Sequence, residues 1–202
     1  MNRGMRPRGG WQTHSVRRVY ENRWIEVDEH QVTTPGGMPG IYGVVGFRSI
    51  AVGVVPLDAQ GRTVLVGQYR YTLDAYSWEI PEGGGDPRVS PQESAARELS
   101  EETGLSAARW LEYLRLHTSN SVTNEVGHLY LAWDLTEGVA EPEDTEELAV
   151  RRLPLKEAIE MALSGEITDA MSLAALFKLD LMWRRGQLPE AVLDTLGPWQ
   201  GA

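Results

Sequence analysis

The chain contains no cysteine. That absence excludes a disulfide framework, a thiolate metal centre and a cysteine nucleophile, and it suits a reducing cytoplasm. No segment approaches the roughly 18 uninterrupted apolar residues of a membrane-spanning helix. Arg3, Arg6 and Arg8 lead into Trp11-Gln12-Thr13-His14 without the apolar stretch of a signal peptide, so a soluble protein with a mobile first ten residues is expected. Basic charge is in deficit, with 19 Lys and Arg against 29 Asp and Glu and a net charge of −10. A broad nucleic-acid surface needs clustered cations and is therefore disfavoured. A small phosphate substrate is not, because a bound divalent cation reverses the local sign. The four histidines, His14, His30, His117 and His128, show no ligand spacing.

At 202 residues the chain fits one domain with extensions, large enough to bury its core without staples. Residues 15–33 alternate Val16, Val19, Trp24, Ile25, Val27 and Val32 with polar side chains, and Pro35-Gly36-Gly37 supplies a turn. Further strands are expected over 41–45, 49–56 and 63–71, with Asp58-Ala59-Gln60-Gly61 as a hairpin connection, and then over 110–117 and 128–135. Helical patterns occupy 155–163 and 171–185. Strands, one helix, strands and terminal helices predict an α/β fold, an α/β/α sandwich with a mixed β-sheet and N-terminal antiparallel strands.

The chemistry is concentrated in residues 83–105. Ser90 and Glu93 form a capping box, Pro91 occupies a first-turn position that needs no amide proton, and Gly104 supplies the stop, so the helix should run from Pro91 to Thr103. At roughly 100° per residue, Glu98, Glu101 and Glu102 share an arc of about 100°, apart from the stripe of Ala96, Leu99 and Thr103. Like charges at these spacings destabilise a helix unless a cation offsets them. Carboxylates suit Mg²⁺, with Mn²⁺ as a substitute, whereas zinc would favour His or Cys. Glu98 and Glu102, one turn apart, are the leading metal ligands, and Glu101 is a ligand for a second ion and a catalytic candidate. A solvated acidic helix face is the plain alternative.

Arg97-Glu98-Leu99-Ser100-Glu101-Glu102-Thr103-Gly104-Leu105 resembles the second half of the Nudix box at every specified position, and Gly83 stands at the matching distance upstream. Val89 departs from the family, which usually has Glu there, leaving Asp86 or Glu93 to support the loop. The resemblance spans about residues 41–182. Leu65 to Tyr71, Ser77 to Gly84, and Gly165-Glu166-Ile167-Thr168-Asp169-Ala170 are similar to the branch acting on ADP-ribose and other nucleoside diphosphate sugars. It implies a Nudix hydrolase domain over 41–186, preceded by a disordered arm (1–10) and N-terminal strands (11–40) that exchange across a homodimer, and followed by a tail (187–202).

The resemblance also implies roles. The main-chain carbonyl of Glu82 is a metal-ligand candidate. The general base lies outside the box, in the acidic segment Glu141-Pro142-Glu143-Asp144-Thr145-Glu146-Glu147, with Glu146 at the matching position and Asp144 and Glu143 as substitutes. Arg97 is expected to pair with a carboxylate and fix the helix. Arg70 is a candidate phosphate clamp, since a planar guanidinium binds phosphate bidentately. Trp78 is either a stacking platform or core packing, and Glu125 resembles a glutamate near the substrate or dimer face. His117-Thr118-Ser119-Asn120-Ser121 lacks the proline found in relatives that prefer ADP-ribose, which favours broad activity on small-molecule nucleotide sugars such as ADP-ribose or GDP-mannose. A sensor that binds without cleaving, and a hydrolase of nucleoside triphosphates or dinucleoside polyphosphates, remain as alternatives.

Overall fold

The computed structural model describes residues 8–141 and 147–199. β1 (Gln12–Glu21), β2 (Ile25–Thr33) and β3 (Pro39–Phe47) form an antiparallel sheet in chain order. Asn22 closes the first turn, its Oδ1 accepting from the amides of Trp24 and Ile25 at 2.8 Å each. Pro35-Gly36-Gly37 makes the second turn, with Gly37 at φ 83°, a backbone region that glycine enters without steric cost. This sheet touches the rest of the chain through the Val45 amide, which donates to Val122 O at 2.8 Å, and through Tyr42 Oη, which donates to Ser121 O at 2.8 Å.

The central part carries two further sheets. β4 (Ile50–Pro56) lies between β7 (Glu82–Gly85), antiparallel, and β9 (Val126–Glu137), parallel, while β8 (Leu105–His117) borders β9 antiparallel. The order β7-β4-β9-β8 is therefore mixed. β10 (Ala149–Pro154), β5 (Arg62–Arg70) and β6 (Ala75–Glu79) form an antiparallel sheet in that order.

Side chains of successive strand residues point to opposite faces, and this divides the core in two. Val52, Val54, Tyr130 and Ala132 pack with Ala95 and Leu99 of α1 (Pro91–Thr103). Val55, Leu65, Leu129 and Leu131 pack against α2 (Leu155–Ser164), α3 (Ala170–Arg184) and α4 (Glu190–Leu196) through Leu155, Ile159, Leu176, Leu179 and Val192. Helices thus cover both faces of the strand layer, the α/β/α sandwich expected. Among the described residues no helix is long and apolar enough to cross a membrane.

The structure departs from the sequence reading in three places. β8 begins at Leu105, directly after Gly104 reverses the chain in the left-handed region, because pairing with β9 recruits an alanine-containing stretch of weak strand preference. β6 and β7 were not expected. The latter is Glu-Gly-Gly-Gly, a poor strand by propensity that the edge of β4 nevertheless pairs. The segment from residue 187, read as a tail, is packed over its described part. Leu188 and Val192 are buried, and Trp199 packs edge-to-face on Trp183 at 5.0 Å.

Candidate active site

α1 forms for the local reasons given. Ser90 Oγ accepts the Glu93 amide, the Glu93 carboxylate accepts the Ser90 amide, Pro91 opens the first turn, and Gly104 at φ 71° donates its amide to Ser100 O. Capping of this kind contributes about 1 kcal/mol and fixes the helix start. Val89 is exposed. Beside it Glu93 stands in the capping box, and Asp86 Oδ1 accepts the Arg88 amide at 2.8 Å while its carbonyl accepts the Val89 amide at 3.2 Å.

The glycine loop is shaped around the helix. A Cβ on Gly83 would stand 2.5 Å from Glu98 Cδ and 2.6 Å from both carboxylate oxygens, so only glycine lets the carboxylate lie against the loop backbone. Arg97 fastens the two elements: Nη2 donates to Gly84 O at 2.9 Å and to Glu98 Oε1 at 2.6 Å, while Nη1 pairs with Glu101. The expected structural role of Arg97 is what the contacts describe. Glu102 is buried and its Oε2 accepts the Glu82 amide at 3.0 Å.

The three box glutamates therefore occupy different environments. The side chains of Glu98 and Glu101 are 12% and 34% exposed, whereas Glu102 as a residue is 2% exposed. Among the described residues no three acidic or histidine side chains are grouped as a ready-made metal shell. Arg97 draws Glu98 and Glu101 to its guanidinium, and Glu102 turns to the loop amide. The donors still fit a divalent cation. They are carboxylate oxygens, and the missing Cβ of Gly83 leaves backbone and Glu98 in direct apposition.

A second charged group adjoins the first. Arg70 Nε donates to both oxygens of Glu79, at 2.9 and 3.1 Å, and its Nη2 pairs with the same carboxylate and stands 3.8 Å from Glu82 Oε1. Glu79 is buried at 2% exposure, so the guanidinium compensates a charge that would otherwise be costly. The Glu82 carboxyl feels the negative charges of Asp169 and Glu79, and its Oε2 is buried with no geometric hydrogen bond among the described residues. Burial first, then the charges of Asp169 and Glu79, push this carboxyl well above the usual glutamate range, and Arg70 opposes them. Asp169 also caps α3, its Oδ2 accepting the Ser172 amide at 2.7 Å.

Glu82, Glu98, Glu101, Glu102 and Arg70 are thus brought to one region. Trp78 is engaged elsewhere: it packs on the core beside α2 and α3, meets Tyr76 edge-to-face at 5.6 Å, and covers Gly67, where a Cβ would stand 2.8 Å from its ring. Glu125 accepts the Thr118 hydroxyl at 2.7 Å, in the connection that docks on β3. Glu146, Asp144 and Glu143 lie outside the described residues. Sequence reasoning missed Glu79, Asp169 and Ser172 as site residues. Asp169 stood only within a segment quoted for its resemblance, and nothing local signalled that it would act on Glu82. A cavity of about 390 Å³ lined by Leu57, Asp58, Trp133, Arg152 and Val192 includes none of the box glutamates.

A strand layer covered on both faces, with a glycine loop folded onto an Arg-Glu helix, defines the class. Residues 47–176 match the NUDIX domain, and the chain belongs to that family. Residues 11–45 match the nucleoside diphosphate sugar hydrolase N-terminal domain. Among curated proteins the chain is 33% identical over 177 residues to an ADP-ribose pyrophosphatase of Mycobacterium tuberculosis, covering 82% of this chain and 81% of that protein. It is 31% identical over 180 residues to a CMP-5'-(N-acetyl-N-hydroxy-3-aminopropyl)phosphonate hydrolase of Streptomyces rubellomurinus, covering 88% and 86%. The crystal structure of an ADP compounds hydrolase superposes with a TM-score of 0.78 at 23% identity, covering 91% of this chain and all of the other, and it supports the fold.

Proposed function

We propose that the chain is a divalent-metal-dependent pyrophosphatase that hydrolyses the diphosphate of a nucleoside diphosphate sugar, such as ADP-ribose or GDP-mannose, to a nucleoside monophosphate and a sugar phosphate. The observation that carries this reading is the Gly83 backbone lying against the Glu98 carboxylate while Glu102 holds the Glu82 amide. The match of residues 11–45 to the nucleoside diphosphate sugar hydrolase N-terminal domain supports the substrate class.

In this reading Glu98, Glu102, Glu101 and the Glu82 carbonyl would hold Mg²⁺, with Mn²⁺ as a substitute. Such an ion would neutralise diphosphate oxygens and acidify a bound water. Arg97 keeps Glu98 and Glu101 against the loop. Arg70 would meet phosphate through donors other than the Nε and Nη2 that pair with Glu79. Glu146 would accept the proton of the attacking water, with Asp144 and Glu143 as its substitutes, while Trp78 serves the core packing and Glu125 the Thr118 contact rather than the substrate. The chain divides as an N-terminal sheet, which closes with β3 at Phe47, and the catalytic unit that follows it. Exposed Val16, Tyr20, Trp24 and Ile41 on that sheet support a homodimer, which would run at twice the chain mass in light scattering.

The test is nucleoside monophosphate release from ADP-ribose, GDP-mannose, UDP-glucose, dATP and diadenosine polyphosphates, with Mg²⁺ and with chelator, for wild type and Glu102→Gln. Metal-dependent cleavage of the diphosphate sugars that disappears in the variant is expected. Binding without turnover would replace the hydrolase with a sensor, and cleavage of dATP or the polyphosphates alone would overturn the substrate class.

A further inference from the structure

We propose that Ser172, in the first turn of α3, is a positioning residue for the catalytic loop: its buried hydroxyl fixes the Ile80 amide and, through it, the Glu82-Gly83 backbone against Glu98 and Glu102. Residues 80–83 are tied to three elements. Ile80 N donates to Ser172 Oγ at 3.0 Å, Pro81 O accepts from Val54 N at 2.8 Å, and Glu82 N donates to Glu102 Oε2 at 3.0 Å. The attachments are to α3, the central sheet and α1.

The first of these has no substitute among regular ladder bonds. The pairing of β6 with β5 ends at Glu79, and β6 is the outer strand of its sheet. Ile80 is fully buried, so its amide needs an acceptor inside the protein. Proline follows and offers no amide of its own. Ser172 meets the need from a rigid base: it is fully buried, its own amide is held by Asp169, and α3 is anchored one turn on, where Ala175 O accepts from Tyr113 Oη at 3.0 Å. A serine in a helix ordinarily bonds its own helix or faces water, and here the hydroxyl serves a different element.

Loss of the hydroxyl would leave the Ile80 amide buried and unpaired, and the loop would shift to satisfy it. The shift is felt at Gly83, which has no spare room beside Glu98. Ser172 would therefore act without touching substrate or metal, and its effect would appear in turnover and metal affinity rather than in substrate binding.

The inference rests on the hydrolase reading, and the test separates the two. Ser172→Ala removes the acceptor, Ser172→Cys keeps the volume with a weak acceptor, and Ser172→Thr restores a hydroxyl. Each is compared with wild type for kcat and KM on ADP-ribose with Mg²⁺, for Mn²⁺ affinity from the free-Mn²⁺ resonance signal, and for thermal unfolding. Ala and Cys are expected to lower kcat about tenfold with KM within about twofold, to weaken Mn²⁺ binding several-fold, and to be rescued by Thr. Wild-type kcat and Mn²⁺ affinity in either folded variant would overturn the proposal, as would a loss of activity that only tracks the unfolded fraction. If wild type cleaves no nucleotide sugar the hydrolase reading fails, and the Mn²⁺ comparison still decides Ser172. Should Ala not fold, Cys carries the same comparison.

Discussion

Replacing Gly83 with alanine should separate activity from stability. The added Cβ would stand 2.5–2.6 Å from the Glu98 carboxylate group, where ordinary contacts begin near 3.4 Å, so the carboxylate must retreat by about 1 Å. Gly83 does not have a positive φ, and alanine adopts its backbone without strain. The clash is with the end of a flexible side chain, and the reduced freedom of the unfolded chain offsets part of it, so stability should change by less than about 1 kcal/mol. A carboxylate misplaced by that distance costs about a hundredfold in rate, or about 2.7 kcal/mol of activation free energy. Gly85→Ala is the control. Its Cβ would meet Ile50 Cγ1 at 2.7 Å and Ser94 Cβ at 2.8 Å, both close to backbone, so it should cost about 1–3 kcal/mol of stability instead. Steady-state kcat at saturating Mg²⁺ and chemical denaturation measure both quantities. A Gly83→Ala protein with kcat within about threefold of wild type would refute the assigned role of the loop.

Glu82→Gln should change the pH dependence of stability. Burial, Asp169 and Glu79 raise the Glu82 carboxyl well above its ordinary 4.5, so the folded state favours its protonated form. The stability it contributes is complete below about 4.5 and is lost as pH rises through the folded value. Glutamine does not titrate, so the unfolding free energy of the variant minus that of wild type should grow as pH increases above 4.5. A difference independent of pH between 4 and 8, in denaturant melts at about half-unit steps, would remove the electrostatic account of this residue. Arg70→Met leaves the Glu79 side chain, 3% exposed, without its cation and should cost about 3 kcal/mol, much of it recovered in the Arg70→Met, Glu79→Leu double variant. Equal stabilities of the single and double variants would contradict the pairing.

The helix that carries the box was readable because each of its signals is local. Ser90, Pro91, Glu93 and Gly104 act on amides and carbonyls within one turn, so the expected span and the observed one coincide at Pro91–Thr103. The strand over 49–56 was likewise expected, and the structure places Val52 and Val54 on one face and Val55 on the other. β7 was not readable, because Gly83, Gly84 and Gly85 have little strand preference and pair only because β4 offers an open edge. α4 was overlooked for its brevity, seven residues whose burial depends on the α2–α3 face they cover.

What the sequence determined by itself was therefore the sandwich architecture, the position of the loop and helix, and the identity of three glutamates on one helical arc. Helical phase follows from a fixed rotation per residue and needs no knowledge of the rest of the chain. The tertiary structure decided the environment of each group: Arg97 taking Glu98 and Glu101, Glu102 turning to the Glu82 amide, Arg70 committed to Glu79, and Asp169 facing the Glu82 carboxyl. The last of these pairings joins residues far apart in the chain, and charge, burial and hydrogen bonding at such sites depend on which elements meet, which no local pattern encodes.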